Sequence, residues 1–161
     1  TFIKEGIRIN VIYDKTLPTS KNKAIYAEQP FYISNKAGMR PDISINLYDT
    51  TKEMYIGSIV LECKYRKIKS FWSSNPSSSK EQIISYEEKS RSPFYLNLPA
   101  VAHSRPVIKV LVLNPDFEFE NKEEGRIAFC PLRPMNDELI NSIFLNIDNL
   151  IDIQWNEVNE L

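Results

Sequence analysis

Apolar residues return at every second position in two early stretches of the chain, with polar residues between them. In "GIRINVIYDKTLP" they are Ile7, Ile9 and Val11, and in "DISINLYD" they are Ile43, Ile45 and Leu47. A period of two is the signature of a strand with one face buried, so each stretch is predicted to be a strand, the first ending by Pro18. Between them "TSKNKAIYAEQPFYISNKAGM" reads as loop with a short strand around Phe31 to Ile33. "TTKEM" reads as a turn and "YIGSIVLECKYRK" as a longer strand. "SFWSSNPSSSK" is a Ser-rich loop with the look of a flap.

The second half changes period. "SKEQIISYEEKSRS" has helical spacing, with Ser79 as the expected N-cap and Pro93 beyond its end. "RPVIKVLVLNP" is almost unbroken apolar sequence, as in a central strand covered on both faces. "EGRIAFCPLRP" is one more strand. In the tail, Leu139, Ile143, Ile147 and Leu150 recur at helical spacing, so a helix is expected to pack on the sheet. Several strands, a helix, two strands and a helix make an α/β domain with a mixed central sheet flanked by helices.

The bulk properties narrow this picture. With 161 residues the chain suits one domain, and 20 basic against 21 acidic residues leave no chain-wide nucleic-acid footprint. Any such site has to come from a local cluster. Cys63 and Cys130, each in an apolar run, are expected to be free thiols in a reducing cytoplasm rather than a disulfide. Cys-His zinc spacing is absent, and His103 is the only histidine, which leaves little for a Ser-His-Asp or Cys-His machine. Four glycines make no phosphate loop. No apolar run reaches the roughly 18 residues of a membrane span, and no signal peptide is visible. A chain that opens on Thr1 without Met is expected to be a domain of something longer.

One oddity carries the chemistry. Glu62 and Lys64 interrupt the apolar run "GSIVLECKY" one residue apart. Buried charges need partners. If the turn is centred on Lys52, opposed residues number about 104 in sum, which sets Asp42 across from Glu62 with Cβ atoms roughly 5 Å apart. The same register places Ile43, Ile45, Leu47, Ile59, Leu61, Cys63 and Tyr65 on one face and Asp42, Glu62, Lys64 and Arg66 on the other. Two carboxylates that close repel, unless one is protonated or a cation lies between them. Mg²⁺ or Mn²⁺ suits the pair, held by Asp42, Glu62 and the backbone carbonyl of Cys63, with waters and phosphate oxygens completing the shell. Lys64 then orients or deprotonates a water, or steadies charge on phosphorus. The plain alternative is a cross-strand charge cluster on a half-solvated face, contributing about 0–1 kcal/mol.

Pro41-Asp42, then about twenty residues, then Glu62-x-Lys64 at the end of an apolar strand resembles the PD-(D/E)XK nuclease superfamily. The chain has two other E-x-K triplets. Glu87-x-Lys89 falls on a helix, where residues two apart diverge. Glu120-x-Lys122 follows Pro115-Asp116 too closely to allow two strands and a turn. Gln82 and Tyr86, four apart, share one helix face. The wording "RPDI … LECKYR … QIISYEEK" is similar to nuclease domains of McrBC-type restriction systems driven by GTPase or AAA+ motors. That resemblance covers roughly residues 40–95. It implies a metal-dependent DNA endonuclease of restriction or phage defence, with Asp42, Glu62, Lys64 and Gln82 as catalytic residues. A motor subunit and a homodimer are the implied partners. Many members carry a further acidic residue before the PD strand; here it is Glu28, Glu5 or a residue ahead of Thr1.

Nucleic acid has candidate contacts nearby. Arg40, Arg66, Lys67 and Lys69 form either a phosphate-tracking rim or a solvated strand end. Tyr86 joins them through the helix, or packs by its ring. Phe71 and Trp72 either stack on bases or pin the Ser-rich loop to the core. His103 and Arg105 precede the central strand and are expected at the surface. A catalytically inactive module of the same fold, binding DNA or protein, is the rival expectation.

Overall fold

The computed structural model describes residues 1–72, 77–94, 105–116 and 122–160. It is an α/β fold built on one mixed seven-stranded sheet. The strands are β1 (Phe2–Lys4), β2 (Ile7–Tyr13), β4 (Ile43–Asp49), β5 (Met54–Cys63), β7 (Val107–Asn114), β8 (Glu123–Glu124) and β9 (Ile127–Pro131). Their order across the sheet is β1-β2-β4-β5-β7-β9-β8. The first four run antiparallel, β5, β7 and β9 run parallel, and β8 closes the far edge antiparallel to β9. A separate two-stranded ribbon pairs β3 (Tyr32–Ile33) with β6 (Ser90–Arg91).

Parallel neighbours need a crossover, and α1 (Ile68–Phe71) with α2 (Ser78–Glu88) supplies it between β5 and β7. The two sheet faces have separate cores. Val60, Val110, Val112 and Phe129 pack with Ile83 and Tyr86 of α2 and with Phe71 and Trp72. On the other face Ile45, Leu47, Ile59, Leu61, Leu111 and Leu113 pack under α3 (Asp137–Asn159) through Ile143, Ile151 and Val158. Alternation along the strands produces this division, since successive side chains leave a strand on opposite faces.

The β4–β5 hairpin follows the expected register from Ile43↔Leu61 to Leu47↔Gly57, then slips by one at a bulge. Gly57, at φ 144°, adopts there a backbone conformation that L side chains rarely reach. Asp49 closes the turn, its Oδ1 accepting from the amides of Thr51 and Lys52 at 2.8 and 3.0 Å.

Two local expectations need correcting, and one pair of alternatives is decided. The N-cap of α2 is Ser77, whose hydroxyl accepts from the Lys80 amide at 3.1 Å; Ser79 is already helical and is used by Arg66 instead. Phe71 and Trp72 are buried, so they anchor the crossover and do not face nucleic acid. Residues 68–71 form a short helix within the stretch read as loop, while 73–76 lie outside the described residues. Both cysteines are free. No helix among the described residues is long and apolar enough to cross a membrane.

Candidate active site

The C-terminal end of β5 meets the start of β4 and the outer turns of α2. Position 63 of β5 opposes Pro41 in the hairpin register, and proline has no N–H to give to the sheet. The regular ladder stops there. The Cys63 amide instead donates to Asp42 Oδ2 at 2.6 Å, which draws the Asp42 carboxylate to the strand end. Pro41 thus leaves the Cys63 carbonyl without the ladder donor a different residue would supply. This gives the Pro-Asp pair a physical role: one residue ends the ladder and the next caps it.

Glu62 leaves β5 toward α2 and is buried, 3% exposed. Its Oε1 accepts from Lys64 Nζ at 2.6 Å. Lys64 Nζ also reaches Gln82 Oε1 at 3.4 Å, and Gln82 Nε2 donates to the Tyr86 hydroxyl at 2.8 Å. The Arg40 amide, in the segment before β4, lies close enough to oppose the rise that burial gives the Tyr86 hydroxyl pKa. A polar chain therefore runs from β5 through one face of α2 back to the segment before β4. Of the three ammonium N–H bonds of Lys64, two point to Glu62 and Gln82, and the third has no partner among the described residues.

Burial pushes the Glu62 carboxyl above its ordinary pKa of 4.5. The Lys64 hydrogen bond and charge pull it down, the Asp42 charge adds to the rise, and the Asp42 amide opposes it. Glu62 Oε2 is buried, with the Asp42 amide near the carboxyl but no full hydrogen bond to that oxygen. An orphaned carboxylate oxygen beside a second carboxylate is what a cation would satisfy. The donor set is small, however: no group of three or more His, Cys, Asp or Glu gathers among the described residues. Asp42, Glu62 and the Cys63 carbonyl fit a hard cation that keeps most of its shell as water and phosphate oxygen. They do not fit an all-protein cage.

Nothing matches this chain among protein-family models, curated proteins or solved structures.

The remaining sequence candidates divide. Arg66, Lys67 and Lys69 are exposed beyond the end of β5, with Arg66 donating to Ser79 Oγ at 2.7 Å. Arg40 is exposed and pairs with Asp14 at 2.9 Å, which spends part of its charge. Tyr86 is fully buried, so it holds Gln82 and does not touch nucleic acid. Glu28 pairs with Lys15 on an exposed loop, and Glu5 sits in the β1–β2 turn, at the end of the sheet away from Asp42. Neither joins the site as a further ligand. Glu87 is buried and accepts from the Arg126 amide at 3.0 Å, with Arg105 at 3.8 Å, a structural task. His103 and Glu120 lie outside the described residues.

Sequence reasoning passed over Asn114. It is buried at the end of β7, and its Nδ2 donates to the carbonyls of Lys64 and Arg66, the latter at 2.6 Å. Together with the Lys64 amide donating to Leu113 O at 2.9 Å, it clamps the segment that carries Lys64. The available signal was a lone amide ending the apolar run "VLVLN".

Charge is also partitioned between the faces. Residues 134–161 hold six acidic and no basic side chains, which leaves 15 acidic against 20 basic in the rest. Helix α3 carries its acids on the face opposite α2, so a basic surface near the site is compatible with a neutral chain.

Proposed function

We propose that this chain is a metal-dependent endonuclease domain that hydrolyses DNA phosphodiesters. The observation that carries the reading is Glu62: a buried carboxylate with one oxygen bonded to Lys64 and the other unpaired, next to Asp42. Mg²⁺ or Mn²⁺, when bound, supplies Lewis-acid stabilisation of phosphate charge and an acidified water. Asp42 and Glu62 would hold it, with the Cys63 carbonyl. Lys64 offers its third N–H to a phosphate oxygen or to the attacking water, and charge-assisted donors of this kind favour the transition state. Gln82 fixes the direction of the ammonium, because its Nε2 is engaged by Tyr86 and only Oε1 is left to face Lys64. Hydrolysis forms a bond between water oxygen and phosphorus and breaks the phosphorus–ester bond, the leaving oxygen taking a proton. The likeness to PD-(D/E)XK and McrBC-type nucleases extends this to a cytoplasmic restriction or phage-defence system, with a GTPase or AAA+ motor and a homodimer as partners.

A second reading has an observation of its own. The absence of a third acidic ligand among the described residues favours a nuclease fold retained for binding alone. Asp42→Asn separates the two, since an amide oxygen can still accept from the Cys63 amide while the anionic ligand is lost. In a plasmid assay with Mg²⁺ or Mn²⁺, the wild-type domain is expected to nick or linearise DNA, and the variant to lose about 100-fold or more at an unchanged melting temperature. No cleavage and no heat of metal binding in the wild type would establish the binding module.

A further inference from the structure

We propose that Tyr65 and the cavity beside it form a base-stacking subsite for an unpaired nucleotide next to the scissile phosphate. The inference rests on the nuclease reading and names its substrate class: a strand with at least one unstacked base at the cut.

Tyr65 follows Lys64 directly and is 81% exposed, although it is a large aromatic residue. Beside it lies a cavity of about 260 Å³, lined by Tyr65, Arg66, Lys67, Asn114, Pro115 and Asp116. Sites for drug-sized ligands span roughly 300–1,000 Å³, so this one suits a single ring system. It opens beyond the carboxyl ends of the parallel strands β5 and β7, where α/β sheets commonly bind ligands.

The polar groups lining it are largely committed to the frame. Asn114 donates both ways to the carbonyls of Lys64 and Arg66, and its Oδ1 accepts from the Asp116 amide at 2.8 Å. Asp116 Oδ2 accepts from the Ile68 amide at 3.2 Å, at the start of α1. These bonds hold the backbone on both sides of Tyr65, so the ring projects from a fixed stretch of chain. Preorganised aromatic platforms bind with little ordering cost.

The chemistry then assigns the two ends of a nucleotide. Asn114 and Asp116 spend their side chains on the frame, and neither offers a phosphate a spare donor inside the cavity. Arg66 and Lys67, exposed on the rim, favour one outside it. What remains for the interior is an uncharged planar ring, stacked against Tyr65 and Pro115. A nucleotide laid this way places its backbone along Arg66 and Lys67.

The test measures binding without cleavage. With wild-type protein in EDTA, fluorescence anisotropy is read for a labelled oligo(dT) 15-mer and for a blunt duplex of the same length. Tyr65→Ala is expected to weaken oligo(dT) binding by about 5- to 100-fold, with little change for the duplex, and Tyr65→Phe and Tyr65→Trp to retain it. Equal affinity of Tyr65→Ala and wild type for oligo(dT), equal losses for the two DNAs, or a Phe variant as weak as Ala each overturn the subsite. Plasmid cleavage is scored separately. A protein that fails to cut but loses oligo(dT) with Tyr65→Ala refutes the nuclease and keeps the subsite, and the converse result does the reverse.

Discussion

Two buried polar clusters sit on the same two strands and the same face of the sheet, about 13 Å apart at four residues of strand rise. Around Ser58, the Ser58 and Tyr55 hydroxyls meet at 2.5 Å, Ser58 Oγ donates to Asn46 Oδ1 at 2.6 Å, and Asn46 Nδ2 donates to the Glu28 carbonyl at 3.3 Å. All three side chains are neutral and buried, and none has an orphaned polar atom. Around Glu62 the cluster is charged, reaches half-buried Lys64 and Gln82, and leaves a carboxylate oxygen unsatisfied. The first arrangement is closed and specifies a fold. The second leaves a carboxylate oxygen without a hydrogen bond, as the β4–β5 turn also does at Asp49 Oδ2, and differs from that turn in standing beside a second acid and an ammonium.

That contrast can be broken most sharply at Lys64. Removing one partner of a buried pair strands the other, so Lys64→Ala is expected to lose about 3 kcal/mol in urea unfolding at neutral pH, together with cleavage. The double variant Glu62→Gln/Lys64→Ala should recover most of the stability and none of the activity. Similar stability of the single and double variants would mean that the pair is solvated after all. Ser58→Ala, on the closed side, should cost about 1–3 kcal/mol by orphaning Asn46 and Tyr55, with metal-dependent cleavage of the surviving folded protein unchanged.

The smallest effect is one of pH. The Glu62 pKa lies above its ordinary 4.5 in the folded state, so the folded chain holds this proton more tightly than the unfolded one. Stability from this group is therefore full below pH 4.5 and is lost as pH rises through the raised value. Glu62→Gln should remove that part of the decline, seen as a gain over wild type that grows with pH across this window in urea titrations. Metal affinity of the wild type should move the opposite way, rising as the carboxyl ionises. A wild-type curve parallel to that of the variant would deny the shift.

Much of the site was legible because it depends on short-range regularities. Alternation over Ile43–Leu47 and Ile59–Leu61 sets the register that brings Asp42 to Glu62's strand end, and helical spacing sets Gln82 above Tyr86. The N-cap was not legible in the same way. Ser77, Ser78 and Ser79 are equivalent by propensity, and the guanidinium of Arg66 on Ser79 is what distinguishes them. Nor does a Ser-rich setting reveal that Phe71 and Trp72 are buried; their packing against Phe129 comes from a strand more than fifty residues away.

By itself, then, the order of residues determined the hairpin, the faces of its side chains and the pairing of Glu62 with Lys64, since these follow from periods of 2 and 3.6 along a local chain. Only the tertiary structure decided how charged that place remains. Depth of burial, the clamp of Asn114 from β7 and the cavity beside Tyr65 arise where distant segments meet, and no local pattern encodes how much water they exclude.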